Sequence, residues 1–306
     1  PPVTVNCSAK EHDGGIGAEW EDVGTGSVEV RTTGSHLIRL NQHSDEGDVT
    51  VHFSAEATGT TGQPLTSPPK IGVPFRLGGP KVAANKQDKF VLPVGNRIFV
   101  IRDGGEVFVH SVGERNIGIP FQLQGPKVAA NPQDKRVLAI ANKLLVITQD
   151  GSVFGHSLSE KGIGAPFQLG GPKVAARSED KWVLPLRDHI LVITQDGRVF
   201  AHNAFDKNIG IPFQLDGPRV AARPEDKFVL TISDRILVIT QDGRVFAHDI
   251  IGVQDGLFFT PKTIRPAFQI EGPKVAANPQ DKLVISVGNR ILVITQDGGV
   301  FVHDIR

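Results

Sequence analysis

The chain has 306 residues, with Lys plus Arg and Asp plus Glu both at 33 and a formal net charge of zero. That balance excludes the basic stripe that would neutralise nucleic-acid phosphates or an anionic bilayer, and no apolar run reaches the roughly eighteen residues of a spanning helix. The single cysteine, Cys7, excludes an internal disulfide and any zinc site that needs two thiolates, so stability has to come from packing.

A soluble protein is expected, with no nucleic-acid partner and no membrane insertion. The chain opens Pro1-Pro2 without a basic and apolar leader. That start fits a cytoplasmic protein trimmed of its initiator Met or a secreted one already processed. Asn6-Cys7-Ser8 matches the glycosylation acceptor pattern.

The first elements in the chain fall within residues 1–54. Gly34 to Gln42 aligns without a gap on Gly95 to Asp103 of the copies downstream, and Val49-Thr50-Val51-His52 aligns on Val107-Phe108-Val109-His110. Residues 1–54 are therefore predicted to form a degenerate blade. Residues 55–70, rich in Thr, Gly and Pro, read as a surface connection.

From residue 71 to 306 the chain repeats. Gly-Pro steps recur at Pro80, Pro126, Pro172, Pro218 and Pro273, with spacings of 46, 46, 46 and 55. His110, His156, His202, His248 and His303 keep the same spacing. The unit reads P-F-Q-L-x-G-P-K-V-A-A-N-P-Q-D-K-x-V-L-x-x-x-N-R-I-L-V-I-T-Q-D-G-x-V-F-x-H. In the third copy, Lys173-Val174-Ala175-Ala176 is predicted as a short innermost strand. Lys181 to Leu186, Ile190 to Thr194 and Arg198 to His202 follow it outward. Asp196-Gly197 joins the last two as a type I′ hairpin. The strand Ile190 to Thr194 is apolar on both faces, so each sheet must be covered on both sides, which radially stacked four-stranded blades achieve.

These signals predict an all-β chain: one β-propeller over 1–306, of four-stranded antiparallel blades. Six blades are favoured, five regular and one degenerate, with five blades plus an extension as the alternative. The insertion at 249–266 is too short for a further blade and is predicted to be a surface excursion, with Phe258-Phe259 as a partner contact.

The recurring blade of this size resembles the repeat-built propeller lectins, the tachylectin-2 type and those of fungal fruit bodies, over residues 70–306. The resemblance lies in repeat length and blade plan. It implies a multivalent carbohydrate-binding protein whose partners are glycans or glycoproteins.

The residues that repeat suggest where such sites would be. Asp88-Lys89, Asp134-Lys135, Asp180-Lys181, Asp226-Lys227 and Asp281-Lys282 sit in one loop of each copy, on the same side as the steps Gln149-Asp150, Gln195-Asp196, Gln241-Asp242 and Gln296-Asp297. Carboxylate, ammonium and amide groups together can hold sugar hydroxyls, and Trp182 after Lys181 offers an aromatic ledge. The same Asp can instead fix its turn by accepting backbone N–H bonds. As exposed charges, the lysines are expected to contribute little to folding. The repeated His is predicted to be structural and no metal site is expected, because copies on separate outer strands stand too far apart to share an ion.

No cofactor is implied. Catalysis needs one set of groups converging on one point, whereas these copies are nearly interchangeable and hold no Gly-x-Ser-x-Gly, phosphate loop or His-Glu-x-x-His. The alternatives are a protein-interaction platform, docking a partner through 1–68 and 249–266, and a metal-dependent enzyme at the axial channel. Which sugar binds, the compartment and the oligomeric state are not encoded in these patterns.

Overall fold

The computed structural model describes residues 69–160, 162–204, 207–255 and 258–306, and of the first 68 residues only the strands. The chain divides into two compact units, Pro1–Pro64 and Leu65–Arg306. Among the described residues there is no helix, and so none long and apolar enough to cross a membrane.

Leu65–Arg306 is a five-bladed β-propeller. Blade three shows the plan: Asp180–Leu186, His189–Thr194, Val199–Asn203 and Phe213–Gln214 pair antiparallel in that order. The first strands of the five blades, Asp88–Val94, Asp134–Ile140, Asp180–Leu186, Asp226–Ile232 and Asp281–Val287, adjoin one another in a closed cycle. They therefore surround the axis. Five apolar clusters fill the five gaps between neighbouring blades. Ile190, Leu191, Val192 and Ile193 on the second strand are 0–3% exposed, and each contributes about 1.5–3 kcal/mol by its burial.

The cycle corrects the six-blade expectation in favour of five. Asp88–Val94 adjoins both Asp134–Ile140 and Asp281–Val287, which leaves no gap for another blade. The last blade takes its fourth strand from the start of the unit: Phe75–Arg76 pairs with Val300–Asp304. Lys70 and Arg306 exchange both backbone hydrogen bonds, at 2.8 and 3.0 Å, beside this seam. In the first unit, Val3–His12, Trp20–Val30 and Asn41–Gln42 form a three-stranded sheet. Gly34–Arg39 pairs antiparallel with Thr50–Ala55, as the alternation predicts, but in a separate two-stranded sheet. Residues 56–68 of the expected connection, and the side chain of Asn6, lie outside what is described.

Two further expectations change. Lys173 to Ala176 is not a strand: Ala175 has φ 50°, and the stretch turns across the neighbouring blade. The strand order is shifted by one, so Asp180–Leu186 is innermost and the two residues Phe213–Gln214 are outermost. The hairpin at Asp196-Gly197 has positive φ only at Gly197, so it is a three-residue link with a left-handed glycine, not type I′. Asp196 holds it by accepting from the Thr194 hydroxyl at 2.5 Å.

A chain starting at residue 65 is expected to unfold as one cooperative unit. Starting at residue 78 removes the Phe75–Arg76 strand and Ile71, leaving an open strand edge and an uncovered apolar face. Thermal unfolding and light scattering of the two chains test this: the shorter should melt lower and aggregate, and equal behaviour would mean that the ring does not depend on its seam.

Candidate functional site

The structure places the five Asp-Lys steps at the start of the innermost strands. Each Asp closes a turn on itself. Asp88, Asp134, Asp180, Asp226 and Asp281 accept through Oδ2 from the N–H three residues earlier, at 2.8–2.9 Å. Asp134, Asp226 and Asp281 are buried in doing so.

The Lys sits on a β-bulge, where the register slips between Asp180 and Trp182 and at the same place in every blade. From there it reaches the next blade. Lys89, Lys135, Lys227 and Lys282 donate to the carbonyls of Ala129, Ala175, Ala276 and Ala83 at 3.4, 3.2, 3.2 and 3.0 Å. Those alanines hold φ of 50–51°, a conformation that L-residues adopt only when their surroundings fix it. Lys181 lies over the Trp182 ring at 5.6 Å, and Trp182 is half-buried against the cluster between blades three and four. All five Asp and four of the five Lys thus make hydrogen bonds within the scaffold.

The hairpin carboxylates are similarly occupied. Thr148, Thr194, Thr240 and Thr295 donate their hydroxyls to Asp150, Asp196, Asp242 and Asp297. Lys173, Arg219 and Lys81 of following blades pair with Asp150, Asp196 and Asp297. The Lys173 contact, then the Thr148 hydroxyl, hold Asp150 well below the usual carboxylate range. The glycine of each turn makes the approach possible: a Cβ on Gly197 would meet the Ala222 Cβ at 2.8 Å.

His110, His156, His202 and His248 end the third strand, not the outermost. Their Nδ1 atoms donate to the carbonyls of Gly118, Gly164, Gly210 and Arg265 at 3.1–3.3 Å. Burial lowers the pKa of each, and of His303, below 6.5. Among the described residues no three His, Cys, Asp or Glu converge on a point.

The rim differs from this face. The outermost strands begin Phe75-Arg76, Phe121-Gln122, Phe167-Gln168, Phe213-Gln214 and Phe268-Gln269, with the second residue exposed in all five. Two residues before the Phe stands an exposed apolar group, Val73 at 81%, Ile119 at 87% and Ile211 at 83%. Six residues before it stands a base in four copies, Arg115, Lys161, Lys207 and Lys262, and Pro69 in the fifth. The backbone at that base is tied to the preceding blade: the Arg115 carbonyl accepts from Gly78, that of Lys207 from Gly170 and that of Lys262 from Asp216. Arg115 lies over the Phe75 ring at 4.6 Å, and Lys161 is outside the described residues. This base, six residues before the Phe in four copies, is a second repeated pattern, legible in the sequence alongside the Asp-Lys steps.

The insertion is a β-hairpin, Val245–Asp255 with Phe258–Ile264. It is not purely a surface excursion. Phe259 is 6% exposed within the cluster between blades three and four, which removes it as a partner contact. The Phe258 side chain lies outside what is described.

No protein-family model and no curated protein matches the chain. Among solved structures it is similar to BamB from Moraxella catarrhalis, at 12% identity and a TM-score of 0.31, over 91% of this chain and 69% of that one. Glutaminyl cyclase from Myxococcus xanthus matches at 10% identity and 0.41, over 78% and 96%. A structure of Kap60 bound to yeast RCC1 (Prp20) matches at 14% and 0.34, over 92% and 64%. At such identities these likenesses carry nothing about ligand or activity.

Replacing Lys135, Lys227 and Lys282 together by Ala is expected to cost about 2–4 kcal/mol, because each loses a hydrogen bond between blades. A melting temperature within about a degree of the parent would show that these contacts are idle.

The His pKa values lie lower in the folded chain than in the unfolded one. Below about pH 6.5 the unfolded chain therefore binds more protons, and stability falls as pH drops from there. Denaturant titrations at pH 7.5 and 5.5 should show the loss. His202→Gln should lower stability at pH 7.5 by about 1–3 kcal/mol and reduce the pH dependence. A variant with unchanged pH dependence would remove His202 from this account.

Proposed function

We propose that the ring is a multivalent binding protein, not an enzyme, and that its ligands are carbohydrates held at the rim. The observation that carries this reading is a recurring set of rim groups: a Phe on all five blades, an exposed amide beside it on four, a large exposed apolar residue two places before it on three, and a base from the next loop at four. An apolar ledge packs against the C–H face of a sugar ring, and an amide with a base bonds its hydroxyls. Several shallow positions on one ring multiply a weak contact, so that avidity supplies what a single site lacks.

The Asp-Lys turns fit the scaffold better than the site, because their polar groups already have partners. The near-equivalence of the blades favours binding over catalysis, since catalysis needs one set of groups converging on one point and repetition supplies the same groups on each blade. The compartment stays open between cytoplasm and secretion.

A glycan-array screen, followed by agglutination of glycan-coated particles, tests the proposal. Inhibition by free sugar is expected at roughly millimolar concentration. Replacing Gln122, Gln168 and Gln269 by Ala and Arg115 by Ala in one chain should abolish agglutination while leaving the melting temperature within about two degrees. If no glycan binds, or if this variant agglutinates as the parent does, the rim is not a saccharide surface, and protein docking becomes the reading to pursue.

A further inference from the structure

One of the five rim positions is built differently. The hairpin of blade four lays Thr260, Pro261 and Lys262 beside Phe213, Gln214 and Asp216 of blade three, and these six residues line an open cleft of about 260 Å³. The walls are joined by backbone bonds, Asp216 N–H to the Lys262 carbonyl at 3.0 Å and Ile264 N–H to the Asp216 carbonyl at 2.7 Å. The size is just under the roughly 300 Å³ at which pockets for drug-sized molecules begin, which leaves room for one monosaccharide.

The hairpin is held rigidly. The Arg187 guanidinium lies over the Phe259 ring at 4.3 Å, grips both Asp234 carboxylate oxygens at 2.8 and 2.7 Å, and donates to Gln254 Oε1 at 3.0 Å. One cation thus ties blade three, blade four and both hairpin strands together.

The polar groups around the cleft contrast with those of the Asp-Lys face. Among the described residues, the side chains of Asp216, Lys262, Gln214 and Thr260 have no hydrogen-bond or ion-pair partner. The place of Asp216 is taken by Gly78, Gln124, Gly170 and Glu271 on the other blades. On the one other blade with a carboxylate at this place, Glu271 is already paired with Lys70 at 3.6 Å, whereas among the described residues Asp216 and Lys262 have no such partner.

We propose that this cleft is a saccharide site distinct from the other rim positions, one per chain, in which Asp216 sets specificity for a neutral pyranose with adjacent hydroxyls. The proposal rests on the rim-binding reading above. Two neighbouring hydroxyls donate to the two carboxylate oxygens, Lys262 Nζ and the Gln214 amide donate to sugar oxygens, and the ring packs against Phe213. A sugar acid is rejected, because its carboxylate would meet that of Asp216.

Isothermal titration of the full chain with galactose, mannose, glucose and glucuronic acid tests it. The expected result is one site per chain for a neutral hexose at least fivefold tighter than the rest, with glucuronic acid weakest. Asp216→Asn and Lys262→Ala should each remove the tight class while the melting temperature stays within about a degree. Equal sites, a tight class that survives Asp216→Asn, or stronger binding of glucuronic acid would overturn the proposal. The two readings fail separately. Loss of the weak sites alone, with the tight class intact, would sink the repeated-rim reading and keep the cleft, whereas no binding of any sugar would remove both.

Discussion

A sheet whose second strand is 0–3% exposed along Ile190 to Ile193 cannot present either face to water. Each blade therefore needs a neighbour on both sides, and a row of such blades has no stable end. The ring is the solution, and it is complete only because Phe75–Arg76 crosses from the start of the propeller to pair with its last blade. Every other feature of the molecule follows from that closure. The five interblade clusters share one set of apolar residue types because each solves the same packing problem.

Close approach between blades then dictates which polar residues repeat. A Cβ on the hairpin glycine of one blade would stand under 3 Å from the Cβ of the second alanine of the crossing stretch in the next, so the glycine has no room for a side chain. The crossing stretch carries an alanine in a left-handed conformation, with φ of 50–51°, and its carbonyl faces the Lys of the previous blade in four of the contacts. Asp fixes the turn that positions this Lys. Most of the Lys of this repeated pattern thus also join neighbouring blades, and the Asp hold the turns beside them.

The rim is released from these constraints. Its strands are two residues long in four blades, their second side chains are exposed, and Ile119 and Ile211 stand largely exposed. Groups that the fold does not need are free to recognise something else, which is why the binding proposals sit there. Asymmetry enters at one place. The blade-four hairpin buries Phe259 for stability and, with the same backbone, walls off one rim position from its equivalents.

The sequence by itself determined the blade. A spacing of 46, an apolar run read on both faces and a Gly in each turn are local or periodic facts, and the four-stranded antiparallel unit follows from them. The alignment of residues 34–42 and 49–52 on the regular copies matched a strand pair, Gly34–Arg39 with Thr50–Ala55, but placed it in a blade, whereas it forms a two-stranded sheet of its own. Tertiary structure decided what periodicity cannot hold: where a repeat begins, how many blades close, and which polar groups are spent. Lys-Val-Ala-Ala has the small side chains of an inner strand, but its backbone turns left-handed at Ala175 and its partners lie in the preceding blade, which local pattern does not reveal. The count of five depends on how far successive blades rotate about the axis, and the engagement of Asp and Lys depends on carbonyls of another blade. Partners distant in sequence fix both, and only the closed ring brings them together.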